Sequence, residues 1–148
     1  MTIDEKKALD MMLGGMGCGQ VVMSEFYEEL GLDKDFALNI VQGFEGGSFA
    51  ASDCGALEAG RVILSIKYGG RGDEDKVELV KRIFELNSKF KEAMSSFNCK
   101  ELLGRDVMEE GAMAKLIEEN KIQTTCARAM VSVIDILIEI LDNDKANN

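Results

Sequence analysis

The stretch Thr125-Cys126-Ala127-Arg128-Ala129-Met130-Val131-Ser132-Val133-Ile134-Asp135-Ile136-Leu137-Ile138-Glu139-Ile140-Leu141 decides how the chain is built. It has no strand-like alternation. Met130, Val131, Val133, Ile134, Ile136, Leu137, Ile138, Ile140 and Leu141 fall instead on more than one face of a helix. A helix with so little polar surface lies at the centre of its bundle or in a subunit interface. The pattern predicts a last helix over 125–141 and an all-α fold. A homodimer through this C-terminal helix is also expected, because the helix offers more apolar surface than one bundle core absorbs. Two-fold pairing would bury the same patch on both copies.

Working outward, the other segments read as helix too. A helix is predicted over 107–119, and a short one from Cys99 to Leu103 is closed by Gly104. Asp73 starts a long helix with Val77, Val80, Phe84, Leu86 and Phe90 as core contacts, fraying near Ser95-Ser96. Ser52 or Asp53 is expected to cap a helix over 54–68 that ends at Gly69-Gly70. Asp33 caps a helix ending near Gly43. Before it, a helix over 18–30 carries the stripe Val21, Val22, Phe26 and Leu30, with Gly31 as its C-terminal cap. Thr2 and Glu5 have capping-box spacing for a first helix to about Met12, broken at Gly14-Gly15-Met16-Gly17. There is no Pro, internal repeat or linker. The expectation is a single four-cysteine domain over 1–148, a bundle of about six to eight helices.

Composition narrows the chemistry. A chain of 148 residues can bury a core without a disulfide scaffold. The net charge is −10, from 17 basic and 27 acidic residues. That argues against unspecific binding to nucleic acid or anionic lipid. No apolar run is long enough to span a membrane. The start, MTIDEKKALD, lacks the basic and apolar regions of a secretory signal, so a cytoplasmic protein is expected. The absence of His removes imidazole ligands, a His general base and C-x-x-C-H haem attachment.

Cys18, Cys54, Cys99 and Cys126 remain as the candidate site. None forms a C-x-x-C pair, so spacing alone carries little. Context carries more. Each is predicted in the first turn of a helix, after Gly17, Ser52-Asp53, Asn98 and Thr124-Thr125 respectively, all of them capping residue types. A helix N-terminus favours a thiolate, which is both nucleophile and metal ligand. Any one of these cysteines could be a small buried hydrophobe. Four together suggest helix ends gathered around a negatively charged centre. Glu58, one turn beyond Cys54, is expected to raise that thiol, with Arg61 offsetting it. Gly46, Gly47 and Gly55 are expected to let the backbone approach the site closely.

The chain resembles the C_GCAxxG_C_C family of redox-active proteins over about residues 17–141. The resemblance rests on Cys18-Gly19-Gln20, Glu29-Leu30-Gly31-Leu32, Gly43-Phe44-Glu45-Gly46-Gly47, Cys54-Gly55-Ala56, Leu64-Ser65-Ile66-Lys67-Tyr68-Gly69, Cys99 through Asp106, and Cys126. Two departures flank Cys54. Gly60 stands one place later than in the family pattern, and 48–53 is less glycine-rich. Because similar domains accompany haem modules in some cytochromes, the resemblance favours electron transfer.

The expected function is therefore redox chemistry or electron transfer, with an iron–sulfur cluster on the four cysteines and an unknown redox partner protein. Three alternatives stay open: a cluster-free dithiol/disulfide protein, a four-thiolate structural zinc site, and a plain helical interaction protein that uses its apolar last helix.

Overall fold

The computed structural model describes residues 3–147. Among them are eight α-helices and no strand. They are α1 (Glu5–Leu13), α2 (Cys18–Ser24), α3 (Lys34–Gln42), α4 (Gly55–Tyr68), α5 (Asp73–Met94), α6 (Cys99–Leu103), α7 (Ala112–Glu118) and α8 (Ala127–Asn147). Two wide single turns, Gly47–Ala51 and Ile122–Cys126, precede α4 and α8. The all-α expectation holds.

The reading of α8 as central is also met. It packs against α1, α2, α4 and α5. Met130, Val133, Ile134, Leu137 and Ile140 are wholly buried. The apolar faces on which a dimer was expected are thus taken up largely within the chain's own core. Around α8 the fully buried side chains include Met23 of α2, Leu57, Ile63 and Leu64 of α4, and Leu86 and Phe90 of α5.

Several expectations need correction. Asp4 caps α1, accepting a hydrogen bond from the Lys7 N–H at 2.8 Å; the Thr2 of the expected capping box lies outside the described residues. α2 stops at Ser24 rather than Leu30. The Ser24 hydroxyl bonds back to the Val21 carbonyl at 2.6 Å, competing with the helical ladder. α8 begins two residues after Thr125 and runs to Asn147. α7 covers only part of the predicted 107–119, because Gly111 enters it from a left-handed conformation, φ 77°.

α5 carries two apolar stripes, and only one faces inward. Leu79, Ile83, Leu86 and Phe90 join the core. Val77, Val80 and Phe84, expected as core contacts, are 70%, 40% and 67% exposed.

A second, smaller cluster sits apart from the main core. Leu103, Val107, Leu116 and Ile122 bury one another, drawing together α6, α7 and the turn before α8.

Candidate functional site

Cys18 is the first residue of α2. Its position is fixed by Gln20, a buried polar side chain. The Gln20 Oε1 accepts from the Gly17 N–H at 2.9 Å, and its Nε2 donates to the Leu38 carbonyl at 3.1 Å. The start of α2 is thereby tied to α3. In the sequence Gln20 stands out only as part of the Cys18-Gly19-Gln20 motif. Its distance from Gly17 of three residues is the local signal that could have marked it as a cap partner.

Cys54 is itself the N-cap of α4, so neither Ser52 nor Asp53 fills that role. These two residues instead connect the Cys54 and Cys99 segments. Asp53 and Asn98 form an isolated antiparallel bridge. The Cys54 N–H donates to the Phe97 carbonyl and the Cys99 N–H to the Ser52 carbonyl, each at 2.7 Å. The bridge holds two cysteines 45 positions apart in sequence on adjacent strands of backbone.

Arg61 braces this bridge from outside. It bonds Asp53 at 2.8 Å and Asn87 at 3.0 Å, pairs with Glu58, and lies 5.4 Å from the centre of the Phe97 ring. Glu58 is therefore engaged with Arg61. Burial, followed by the charge of Cys18, is what raises the Cys54 thiol.

Cys99 opens α6, where Asn98 is the N-cap and accepts from the Glu101 N–H at 3.0 Å. Glu101 does not complete a capping box; its carboxylate takes the Ser96 hydroxyl at 2.5 Å. Cys126 corrects the expected pattern. It ends a wide helical turn that runs straight into α8, and the Thr124 hydroxyl bonds back to the Asn120 carbonyl rather than capping. Three of the four cysteines, not all four, stand at a helix start.

All four thiols are free and line one cavity of about 280 Å³. Its walls are largely apolar. At its mouth Leu13, Phe49, Met108, Met113 and Ile117 stay 38–57% exposed. The sulfurs feel one another. The charge of Cys18 raises Cys54, Cys99 and Cys126, and Cys99 raises Cys126. Among the described residues there is no group of three or more His, Cys, Asp or Glu side chains drawn together to hold one metal ion.

The three glycines lie where backbone meets sulfur. Gly55 permits the closest approach: a Cβ there would stand 2.6 Å from the Cys18 Sγ and strike the Phe44 carbonyl. Gly46 and Gly47 begin a left-handed run, φ 59° and 68°, continued by Ser48 at 61° and Phe49 at 54°. Such conformations cost non-glycine residues roughly 1–3 kcal/mol each and persist only where the surroundings hold them. Beside this run, the backbone N–H groups of Gly46, Gly19 and Ala56 act to lower the Cys18 thiol. Those of Leu57 and Ala56 act in the same direction on Cys54.

These N–H groups favour the thiolate, as helix starts should. Burial outweighs them, contrary to expectation. Desolvation is the largest influence on every thiol and raises all four. Cys99 is pushed up to about 11 and Cys126 to about 12. Without a cation to face, all four stay protonated at neutral pH.

The family model described as "Putative redox-active protein (C_GCAxxG_C_C)" matches residues 16–140 and so spans all four cysteines. No curated protein and no solved structure matches the chain.

Proposed function

Since the chain belongs to the C_GCAxxG_C_C family of redox-active proteins, we propose that it is an electron-transfer protein whose Cys18, Cys54, Cys99 and Cys126 hold an iron–sulfur cluster. The observation that carries this reading is the meeting of four free cysteines in one largely apolar cavity.

The donor set fits the group. Four thiolates satisfy a two-iron or four-iron cluster, and N–H donors to sulfur tune its potential. Sulfurs sharing one zinc lie within about 4 Å of each other, given bonds of about 2.3 Å. The four thiols are part of the lining of a cavity of about 280 Å³, which leaves room for a centre larger than one ion. Raised thiols weigh against a cluster-free exchange protein, which needs an accessible thiolate. A thiol at about 11 is ionised in only about one molecule in ten thousand at pH 7.

When bound, the cluster supplies one-electron chemistry. The chain's own part is to hold the sulfurs, exclude water and present an edge to a partner. Burial excludes the water. Gln20, the Asp53–Asn98 bridge and Arg61 hold three of the four sulfur-bearing segments in place. The apolar mouth is the natural edge for an unknown redox partner protein.

The test is anaerobic reconstitution with iron and sulfide. A brown protein with matching iron and sulfide and a reducible spectrum is expected. Each single Cys→Ser variant should lose most of the iron while keeping its helical circular dichroism. Colourless protein with no iron, or with one zinc, overturns the reading.

One observation favours a second reading, in which the protein cycles between dithiol and disulfide. The Cys18 sulfur lies against Gly55, next to Cys54. Loss of two free thiols on mild oxidation of iron-free protein, reversed by a reductant, would select it.

A further inference from the structure

We propose that α5 pairs with α5 of a second copy of this chain, forming an antiparallel two-fold dimer. The inference is independent of what the cysteines hold.

The outward face of α5 reads Asp73, Val77, Val80, Phe84, Ser88 and Lys91. At 3.6 residues per turn these six positions fall within an arc of about 80°. All six are exposed, with Val77 at 70% and Phe84 at 67%. A two-sided apolar helix is unusual on a protein that leaves one side in water. The inward stripe of Leu79, Ile83, Leu86 and Phe90 already accounts for its packing on α4 and α8. Val77, Val80 and Phe84 have no such role within the chain, and the contact that Lys91 makes is its Nζ lying 5.4 Å from the centre of the Phe97 ring.

The charges on that face identify the occupant. The acidic end, Asp73, and the basic end, Lys91, are 18 residues apart, five full turns. They share one face with the apolar residues between them. When a second α5 is laid antiparallel about a point near position 82, each Asp73 meets Lys91 of the other copy. Each Val80 then meets Phe84 of the other copy. A parallel pairing would set Asp73 against Asp73 and Lys91 against Lys91. The helix dipoles also oppose favourably only when antiparallel. The surface is therefore complementary to itself in one orientation, as a two-fold interface requires. The apolar middle supplies affinity, and the terminal charges supply orientation.

Sedimentation of the full chain at tens of micromolar and physiological salt tests this. A dimer mass is expected for the wild type. Phe84→Glu should give a monomer with unchanged circular dichroism, since the side chain is exposed. Asp73→Lys alone and Lys91→Asp alone should each weaken self-association about tenfold or more, because each sets like charges together twice. An equimolar mixture of those two variants should recover wild-type affinity as a heterodimer, which general stickiness would not do. The proposal is overturned if the wild type is monomeric, if Phe84→Glu remains dimeric, or if the mixture binds no tighter than its components.

Discussion

Cys18 and Cys54 belong to the larger hydrophobic cluster, whereas Cys99 and Cys126 pack against the smaller one. The two clusters differ greatly in what holds them. The larger is built on α8, with helices on several sides. The smaller has four buried side chains, Leu103, Val107, Leu116 and Ile122. At roughly 2 kcal/mol each, these cannot by themselves order the segment from α6 to the start of α8. The cavity lies on the seam between them. Whatever the four thiols bind therefore also fastens the smaller cluster to the larger, so chemistry and local stability are coupled at one place.

Cavity-forming substitutions should separate the two regions most strongly. Leu137→Ala, in the centre of α8, should lower global stability by about 2–5 kcal/mol. Leu116→Ala, equally buried, should cost less globally but expose residues 99–126 to hydrogen exchange in the metal-free protein. Denaturant melts read beside exchange rates check both. Equal global losses would mean that the two clusters unfold as one.

Gly55→Ala should follow in size. Its Cβ would meet the Cys18 Sγ and the Phe44 carbonyl, and overpacking of this kind costs about 1–3 kcal/mol. Because the clash is at the seam, the iron retained after desalting should fall further than stability does. Gly43→Ala, whose Cβ would meet nothing within 4 Å, is the matched control and should change neither.

Alkaline titration of the metal-free protein sharpens the contrast from the other side. The folded thiols ionise later than unfolded ones, which ionise near 9. Their contribution to stability is thus complete below pH about 9 and is lost as pH rises toward about 11 to 12. The melting temperature should fall across that window. A Cys99→Ser/Cys126→Ser double variant should flatten the fall. If the double variant keeps the full slope, the smaller cluster's thiols are not the groups responsible.

The same division explains what could be read from sequence. α8 was legible because its apolar residues crowd every face, and Asp33 and Asn98 were legible as caps because capping is local. The outward stripe of α5 was misjudged because Val77 and Phe84 satisfy a 3.6-residue period as well as Leu79 and Leu86 do. Periodicity finds a stripe but not the side on which the core lies. Cys126 was misplaced for a related reason: two threonines before it resemble a cap, yet Lys121 and Ala127 are both right-handed helical and the chain never leaves the helical path. The Asp53–Asn98 bridge and the brace from Arg61 join residues far apart in sequence, and no local signal announces them. That burial would override the helix starts at the thiols likewise depends on the closing of the cavity, a tertiary fact.

The smallest expected effect comes from the caps, and it isolates the site from general stability. Asp33 and Asn98 do the same work, each accepting from the N–H three residues on, at 3.0 Å in both cases. Replacing either by Ala should cost about 1 kcal/mol. The consequences should differ because the helices differ. α3 has nine residues packed on the main core, so loss of its cap should lower the melting temperature slightly and leave the cysteines undisturbed. α6 has five residues, too few to persist without its ends secured, and Cys99 is its first. The Asp53–Asn98 bridge beside Cys54 is made of backbone bonds and survives the substitution, so its effect on the cysteines runs through the fraying of α6 and of Cys99 at its start. Iron release to a chelator should therefore quicken several-fold in Asn98→Ala and not at all in Asp33→Ala, at matched loss of stability. Equal release rates in the two variants would show that α6 does not hold the seam, and that the smaller cluster is secured by Cys126 and the start of α8 alone.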